Sequence, residues 1–443
     1  MSSTTNSTRR VRGAIALAAL LLLGLGLSAG SPAGADPKQQ SAVVGVGSDT
    51  IQDVMNALAG NTNNINYVPL QATSGNQRQL VSFDAVPPSG VSDNCITTKI
   101  KSATILRPNG STNGRRALSR TIDPRANGTT DPTTGWGPAN VNGNPSTECG
   151  GRQDVSGLID FARSSSGPAS GDAGTALTYI PFGRDGVTVA SMRADGDPIT
   201  SWTAASLNAL YTANNGHGTV IDPDGAGPRV ARLVLPCGIQ VGSGTYNFWL
   251  GATGATTAQE TTATADCNAL LGVPRSDGRV QENSGSQLTT KAGLADAATD
   301  GAEVVVGFSC ANFISQTNGL ATNDLGSLTV SSTTASMAAI SDDAVLGGGA
   351  NLGACYSGSA APISPATTFY NSAKFGRNVY TVWNTSTVTG IGNNDIKSMF
   401  VGATSALCST AAQTTVNSFG FTSSASCGST ATKGSLITGN FAT

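Results

Sequence analysis

Apolar positions along this chain fall into short runs, separated by turns rich in Gly, Ser and Thr. Val43 to Val46 is nearly continuous apolar sequence, the pattern of a strand covered on both faces. Ile51, Val54, Met55 and Leu58 then recur at helical spacing, and Ser48 or Asp49 stands where an N-cap is expected. Ala103 to Leu106 predicts the next strand, followed by the turn Asn109-Gly110-Ser111-Thr112-Asn113-Gly114 and a helix from Arg115 with Leu118 inside. Leu158 to Phe161 predicts a strand running into Ala162-Arg163-Ser164-Ser165-Ser166-Gly167. Thr178 to Pro181 and Val187 to Ala190 read as two strands around Gly183-Arg184-Asp185-Gly186. Thr203 caps a helix carrying Ala204, Leu207, Leu210 and Tyr211. A strand over Arg232 to Leu235 precedes Gly242-Ser243-Gly244-Thr245 and the aromatic run Tyr246, Phe248, Trp249. Val304 to Phe308 and Val379 to Val382 are later strands. Helices begin at Phe313-Ile314 and around Ile396, Met399 and Phe400. Strands alternating with helices predict an α/β fold of parallel sheets flanked by helices. Residues 60–100 and 123–153 are polar and read as irregular insertions, and no repeat of fixed period is present.

Four of these strands lead into turns that combine small residues with hydroxyls. Unpaired N–H groups at a helix N-terminus carry the positive end of the helix dipole, glycines let a ligand approach the backbone, and hydroxyls add donors. The candidate anion-binding residues are therefore Ser48, Asp49 and Thr50; Ser111 and Thr112; Arg163, Ser164 and Ser165; and Ser243, Gly244 and Thr245. The plainer reading of the first set is helix capping, and of the second a flexible loop with solvated Arg115 and Arg116. Arg163 follows directly on a buried strand, so its guanidinium is expected at the C-terminal sheet edge, where α/β ligand sites lie. Glu282-Asn283-Ser284-Gly285 reads as a surface turn. Arg184-Asp185 suits a structural ion pair as well as it suits ligand contact.

Composition narrows the chemistry. The chain has 443 residues, a formal net charge of −2 and only 12% charged residues, with no basic stripe of the kind that binds nucleic acid. Its one histidine, His217, stands in an Asn/Gly-rich loop, so a His-based metal site is not expected. The single G-x-S-x-G, Gly26 to Gly30, lies inside the N-terminal leader and is not a nucleophile elbow. P-loop, dinucleotide and C-x-x-C motifs are absent from the sequence. Ligand capture without cofactor, metal or catalysis is the expectation. Arg9, Arg10 and Arg12, an apolar stretch from Ala14 to Leu27, and Ala33-Gly34-Ala35 have the order of a secretory signal over residues 1–35, with the mature chain starting near Asp36. Thr8-Arg9-Arg10 leaves the export route open between the general and twin-arginine pathways. No Cys adjoins the cleavage site, so no lipid anchor is expected, and no later segment suits a membrane span. Eight cysteines in an exported chain favour disulfides. About 105 connectivities are open; nearest-neighbour pairing gives four staples that do not overlap, with Cys237–Cys267 and Cys408–Cys427 favoured foremost.

In order and spacing, these turns resemble those of the phosphate-binding proteins of high-affinity phosphate ABC transporters, which have the type II periplasmic-binding fold. The matches are Gly45 to Thr50, Gly110 to Gly114, Asp160-Phe161-Ala162-Arg163-Ser164-Ser165 and Ser243-Gly244-Thr245, with supporting echoes at Leu207 to Tyr211 and Gln316 to Ala321. Two positions depart from the pattern. Ile239 stands where the family has an arginine, and Ser165 where it has an aspartate that accepts a proton from hydrogen phosphate. Arg163 is the replacement cation expected here, and Asp49 the replacement acceptor. The resemblance implies a monomer of two lobes, 36–188 plus 366–443 and 189–365, closing on an oxyanion, inorganic phosphate first, with an ABC permease as a possible partner. An exported phosphohydrolase using the same cleft, and a surface protein that keeps the fold without the ligand, are the alternatives.

Overall fold

The computed structural model describes residues 42–75, 78–87, 94–125, 135–137, 147–213, 215–221, 231–270, 277–342 and 351–439; the expected signal segment lies outside them. The first strand, β1 (Ala42–Gly47), leads to helix α1 (Gln52–Leu58). Next come β2 (Gln79–Ser82), α2 (Ser111–Ile122), β3 (Phe161–Ser164) and the long β4 (Leu177–Arg193). Then follow α3 (Ala204–Tyr211), β5 (Gly218–Ile221), β6 (Ala231–Pro236), α4 (Gly244–Thr253) and α5 (Gly285–Ala298). The chain continues through β7 (Glu303–Ser309), α6 (Cys310–Thr317), β8 (Ala335–Met337), β9 (Gly376–Asn384), α7 (Asn394–Phe400) and β10 (Thr432–Gly434).

Ten strands join in the order β5-β6-β7-β4-β9-β3-β1-β2, with β8 and β10 also pairing with β4. The fold is α/β with helices flanking the sheet, but the sheet is mixed rather than parallel. Pairs β1–β2, β1–β3 and β6–β7 are parallel. Pairs β4–β7, β4–β9 and β3–β9 are antiparallel. Alternation of apolar runs reports strands and helices but not the direction in which distant strands meet.

Residues 177–193 form one strand rather than the two expected. The strand changes partner midway: Leu177 to Gly186 pair with β9, and Val187 to Arg193 pair with β7. Gly186 permits that change, since a Cβ there would lie 2.9 Å from the Phe369 ring. The hydrophobic cores divide at the same place. One cluster is built entirely from residues between Val187 and Phe375. Two others draw on residues 43–182 and 379–421, with Ala311 added. The molecule thus has two lobes, joined near the start of β9, where β4 changes partner.

Within the first lobe, Val43 packs on one side of the sheet with Ile51, Val54, Met55 and Leu58. Val44 and Val46 pack on the other side with Ala117 and Leu118. This is the two-sided burial that the apolar run of β1 predicts. The region read as an insertion contributes β2, whose Leu80 and Val81 are buried beside β1. The third strand runs over Phe161–Ser164 rather than 158–161; just before it, Asp160 bonds Val44 of β1 twice, through its own N–H and through its carboxylate. The cysteines pair as 95–149, 237–267, 310–355 and 408–427, each bridge within one lobe. No helix among the described residues is long and apolar enough to cross a membrane.

Candidate functional site

The lobes meet at a buried cluster of hydroxyls. Ser48 follows the end of β1, Ser111 opens α2, and Ser165 follows β3. Their positions follow from the sheet, since β1 and β3 pair side by side and α2 packs on them. Ser48 Oγ donates to Ser165 Oγ at 3.2 Å; Ser111 Oγ lies 3.2 Å from the same atom and accepts the Ser165 N–H at 3.0 Å. From the second lobe, Thr245 in the first turn of α4 places Oγ1 3.2 Å from Thr50 Oγ1. All five side chains are buried.

Close backbone approach makes the cluster possible. A Cβ on Gly244 would lie 2.3 Å from both Ser111 Oγ and Ser165 Oγ, so only glycine lets α4 start there. A Cβ on Gly110 would lie 2.6 Å from the Gly242 carbonyl. That carbonyl accepts the Thr112 N–H at 2.8 Å, a main-chain bond from one lobe to the other. The N-termini of α2 and α4 therefore face each other across the seam, as two positive dipole ends.

Other expected site residues serve different ends. Ser48 and Asp49 do not cap α1, whose N-cap is Ile51 without a side-chain bond; their side chains are committed to the seam instead. Asp49 Oδ2 accepts from Gln281 Nε2 at 3.4 Å across the seam. Desolvation first, and then the Glu282 and Asp53 carboxylates, hold the Asp49 carboxyl well above the usual carboxylate range. Thr112 Oγ1 accepts from Arg115 and Asn247. Ser164 Oγ donates to the Ser166 carbonyl in a local turn, and Ser243 Oγ caps α4 by accepting the Tyr246 N–H.

Arg163 does not supply a guanidinium to the cluster in this structure. Its Nε donates to the Ser48 carbonyl, Nη2 to the Gly47 carbonyl, and Nη1 to Ser82 Oγ and the Phe83 carbonyl. Three backbone carbonyls at converging strand ends outcompete a distant seat. Burial draws its pKa down to about 10.

The cation beside the cluster is Arg377, at the start of β9 where the lobes join. Its Nη2 donates to Thr245 Oγ1 at 2.9 Å and to Asp185 Oδ2 at 2.8 Å, while its Nη1 is buried with no partner. Asp185 also accepts from Ser309 Oγ and the Ala311 N–H at the start of α6. Burial pushes the Asp185 carboxyl up, and Arg377 and these donors oppose it. The partner of Asp185 is thus Arg377 rather than its neighbour Arg184, which binds the Tyr370 carbonyl. The sequence signal for a buried ion pair is an aspartate set between two apolar strand runs, but the adjacent Arg184 points to the wrong partner.

Glu282, read above as part of a surface turn, is only 2% exposed. Its Oε1 accepts from Thr50 Oγ1 and Thr245 Oγ1, each at 2.5 Å, and from the Thr245 N–H at 3.3 Å and Ser165 Oγ at 3.4 Å. Oε2 is buried without a partner. A cavity of about 810 Å³, lined in part by Thr112, Arg115, Phe248 and Lys374, reaches the cluster at Arg377. His217 lies apart, exposed and 2.8 Å from Asp266 Oδ2.

No family model matches the chain, and no curated protein matches it. Several solved structures are similar at low identity. A candidate phosphate ABC transporter substrate-binding protein with bound phosphate, from Clostridium perfringens, is 12% identical over 87% of this chain and 100% of its own, with a TM-score of 0.42. An ABC-type phosphate transport receptor from Vibrio cholerae is 12% identical over 86% of this chain and 100% of its own, with a TM-score of 0.38. A phosphate-binding protein from Stenotrophomonas maltophilia is 14% identical over 88% of this chain and 92% of its own, at 0.37.

Proposed function

We propose that this chain is an exported substrate-binding protein that captures an oxyanion, inorganic phosphate first, for uptake through an ABC-type permease. One observation carries the reading: five buried hydroxyls from both lobes converge beside Arg377, with Ser48 and Ser111 bonded to Ser165 and Thr50 beside Thr245, the two sets drawn together on Glu282 Oε1. Hydroxyls, first-turn N–H groups and a forked guanidinium are the donors that replace the hydration shell of a tetrahedral oxyanion. They are buried and already aimed at one point between the lobes. Asp49 is the acceptor in this reading. In its ionised form this carboxylate favours an anion that still carries a proton over sulfate, and the burial and neighbouring carboxylates that raise its pKa oppose that form.

The lobes, 36–188 plus 366–443 and 189–365, close on the ion about the point where β4 passes from its pairing with β9 to its pairing with β7. Packing of Phe369, Tyr370 and Phe375 with the second core favours placing the later boundary nearer 376. Arg163 supports the strand ends that carry Ser48. Export is supported by four bridges that use all eight cysteines. The reading asks for no chemistry on the ligand.

Titration calorimetry with phosphate is the test, alongside a thermal-shift screen of phosphate, sulfate and phosphomonoesters. One phosphate per chain and a raised melting temperature are expected. A melting temperature unmoved by every anion overturns the reading.

A further inference from the structure

The donors of the hydroxyl cluster are not waiting empty. Glu282 Oε1 collects the Thr50 and Thr245 hydroxyls, the first-turn N–H of Thr245 and the Ser165 hydroxyl. Those groups come from the turn after β1, the first turn of α4 and the residue following β3, so both lobes converge on one carboxylate oxygen. Such a donor set is what an oxyanion oxygen would receive. The second oxygen, Oε2, has no partner although it is buried. That is a poor arrangement for a permanent structural carboxylate, which normally satisfies both oxygens.

The site residues around Glu282 reinforce this view. The cation at the cluster, Arg377, is already paired with Asp185, and Asp49 stands nearby. A free oxyanion arriving with Glu282 in place would therefore meet an unneutralised carboxylate seated on the donors it needs. The backbone carrying Glu282 is fixed on both sides. Val280 donates to the Gly238 carbonyl, the Gln281 N–H donates to Gln287 Oε1, and Ser284 caps α5. Movement of the side chain alone can free the donors without unfolding the loop.

We infer that Glu282 is a tethered stand-in for the ligand anion, occupying the donor cluster in the closed molecule, and that a free oxyanion binds only by displacing it. Glu282 thereby sets the affinity threshold and favours anions with enough charge to win the exchange. This rests on the oxyanion reading above. It differs in sign from a role for Glu282 as an acceptor that holds a protonated ligand.

The test is calorimetry of inorganic phosphate on the full mature chain and on Glu282→Ala and Glu282→Gln. Thr50 and Thr245 keep each other as partners when the carboxylate is removed, and Glu282→Gln preserves the side-chain shape should the alanine variant fold poorly. A tethered competitor gives at least tenfold tighter phosphate binding in both variants, since neither competes as an anion. Weaker or unchanged binding in a folded variant, with the unsubstituted chain binding phosphate, overturns the stand-in and leaves the oxyanion reading intact. No phosphate binding by any of the three proteins overturns both.

Discussion

Arg163 and Arg377 are both buried, yet they spend their donors differently. Arg163 closes backbone carbonyls at Gly47, Ser48 and Phe83. Replacing it with Met leaves those carbonyls dry and unpaired, and a loss of about 3–5 kcal/mol in urea unfolding is expected. Arg377 instead bridges Asp185 and Thr245. Arg377→Lys keeps the charge beside Asp185 but loses the fork, so phosphate affinity is expected to fall roughly tenfold or more in calorimetry while the fold is kept. An unchanged affinity would remove Arg377 from the site. Glu303 shows burial acting on a single group. Desolvation pushes its carboxyl from 4.5 up to about 7, against the opposing Ile199 N–H and Arg232. The folded chain then keeps a proton that the unfolded chain releases. Stability from this group is full below about pH 4.5 and declines as pH rises through 7, by about 3 kcal/mol at most. Thermal melts between pH 5 and 8 should show the decline, and Glu303→Gln should flatten it.

At the scale of elements, the decisive contact is between helix starts. Helix α4 begins at Gly244 because Ser111 and Ser165 leave no room for a Cβ. Gly244→Ala is expected to hold the lobes apart, since the added methyl would sit 2.3 Å from both hydroxyls. Each lobe keeps its own core, so circular dichroism should be unchanged. Phosphate affinity should fall by at least tenfold, and an affinity equal to that of the unsubstituted chain would show that the helices need not meet. The sequence announced the turn through its spacing of glycines and hydroxyls. It did not announce which hydroxyl would serve it, because Ser243 caps its own helix while Thr245 reaches the other lobe.

For the whole molecule, closure and covalent stapling are separate. Every disulfide joins residues of one lobe, and none bridges the two lobes. Reduction is expected to cost about 2–5 kcal/mol per bridge within a lobe while leaving ligand-driven closure in place. Small-angle scattering of the oxidised chain should show a smaller radius of gyration with phosphate than without. At a ligand concentration of about 100 times Kd, binding should add about 2.7 kcal/mol to stability. Failure of both readouts at millimolar phosphate would count against an anion-closing molecule.

The sequence by itself determined the local elements that build the site. Apolar run lengths gave the buried β1 strand, and helical spacing gave Val54, Met55 and Leu58 as a core face, because burial acts on neighbours a few residues apart. Glycine–hydroxyl turns mark Ser48, Thr50, Ser111, Ser165 and Thr245 as candidate anion contacts, but equally mark Arg163, Ser164 and Ser243, whose side chains bond within their own lobe. Only the tertiary structure decided where long, flexible charged side chains go. Arg163 turned to nearby carbonyls, Arg377 arrived at Thr245 from 132 residues along the chain, and Glu282 left its turn for the crevice. Those choices depend on desolvation and on partners brought together by strand pairing, and no spacing along a single segment records them.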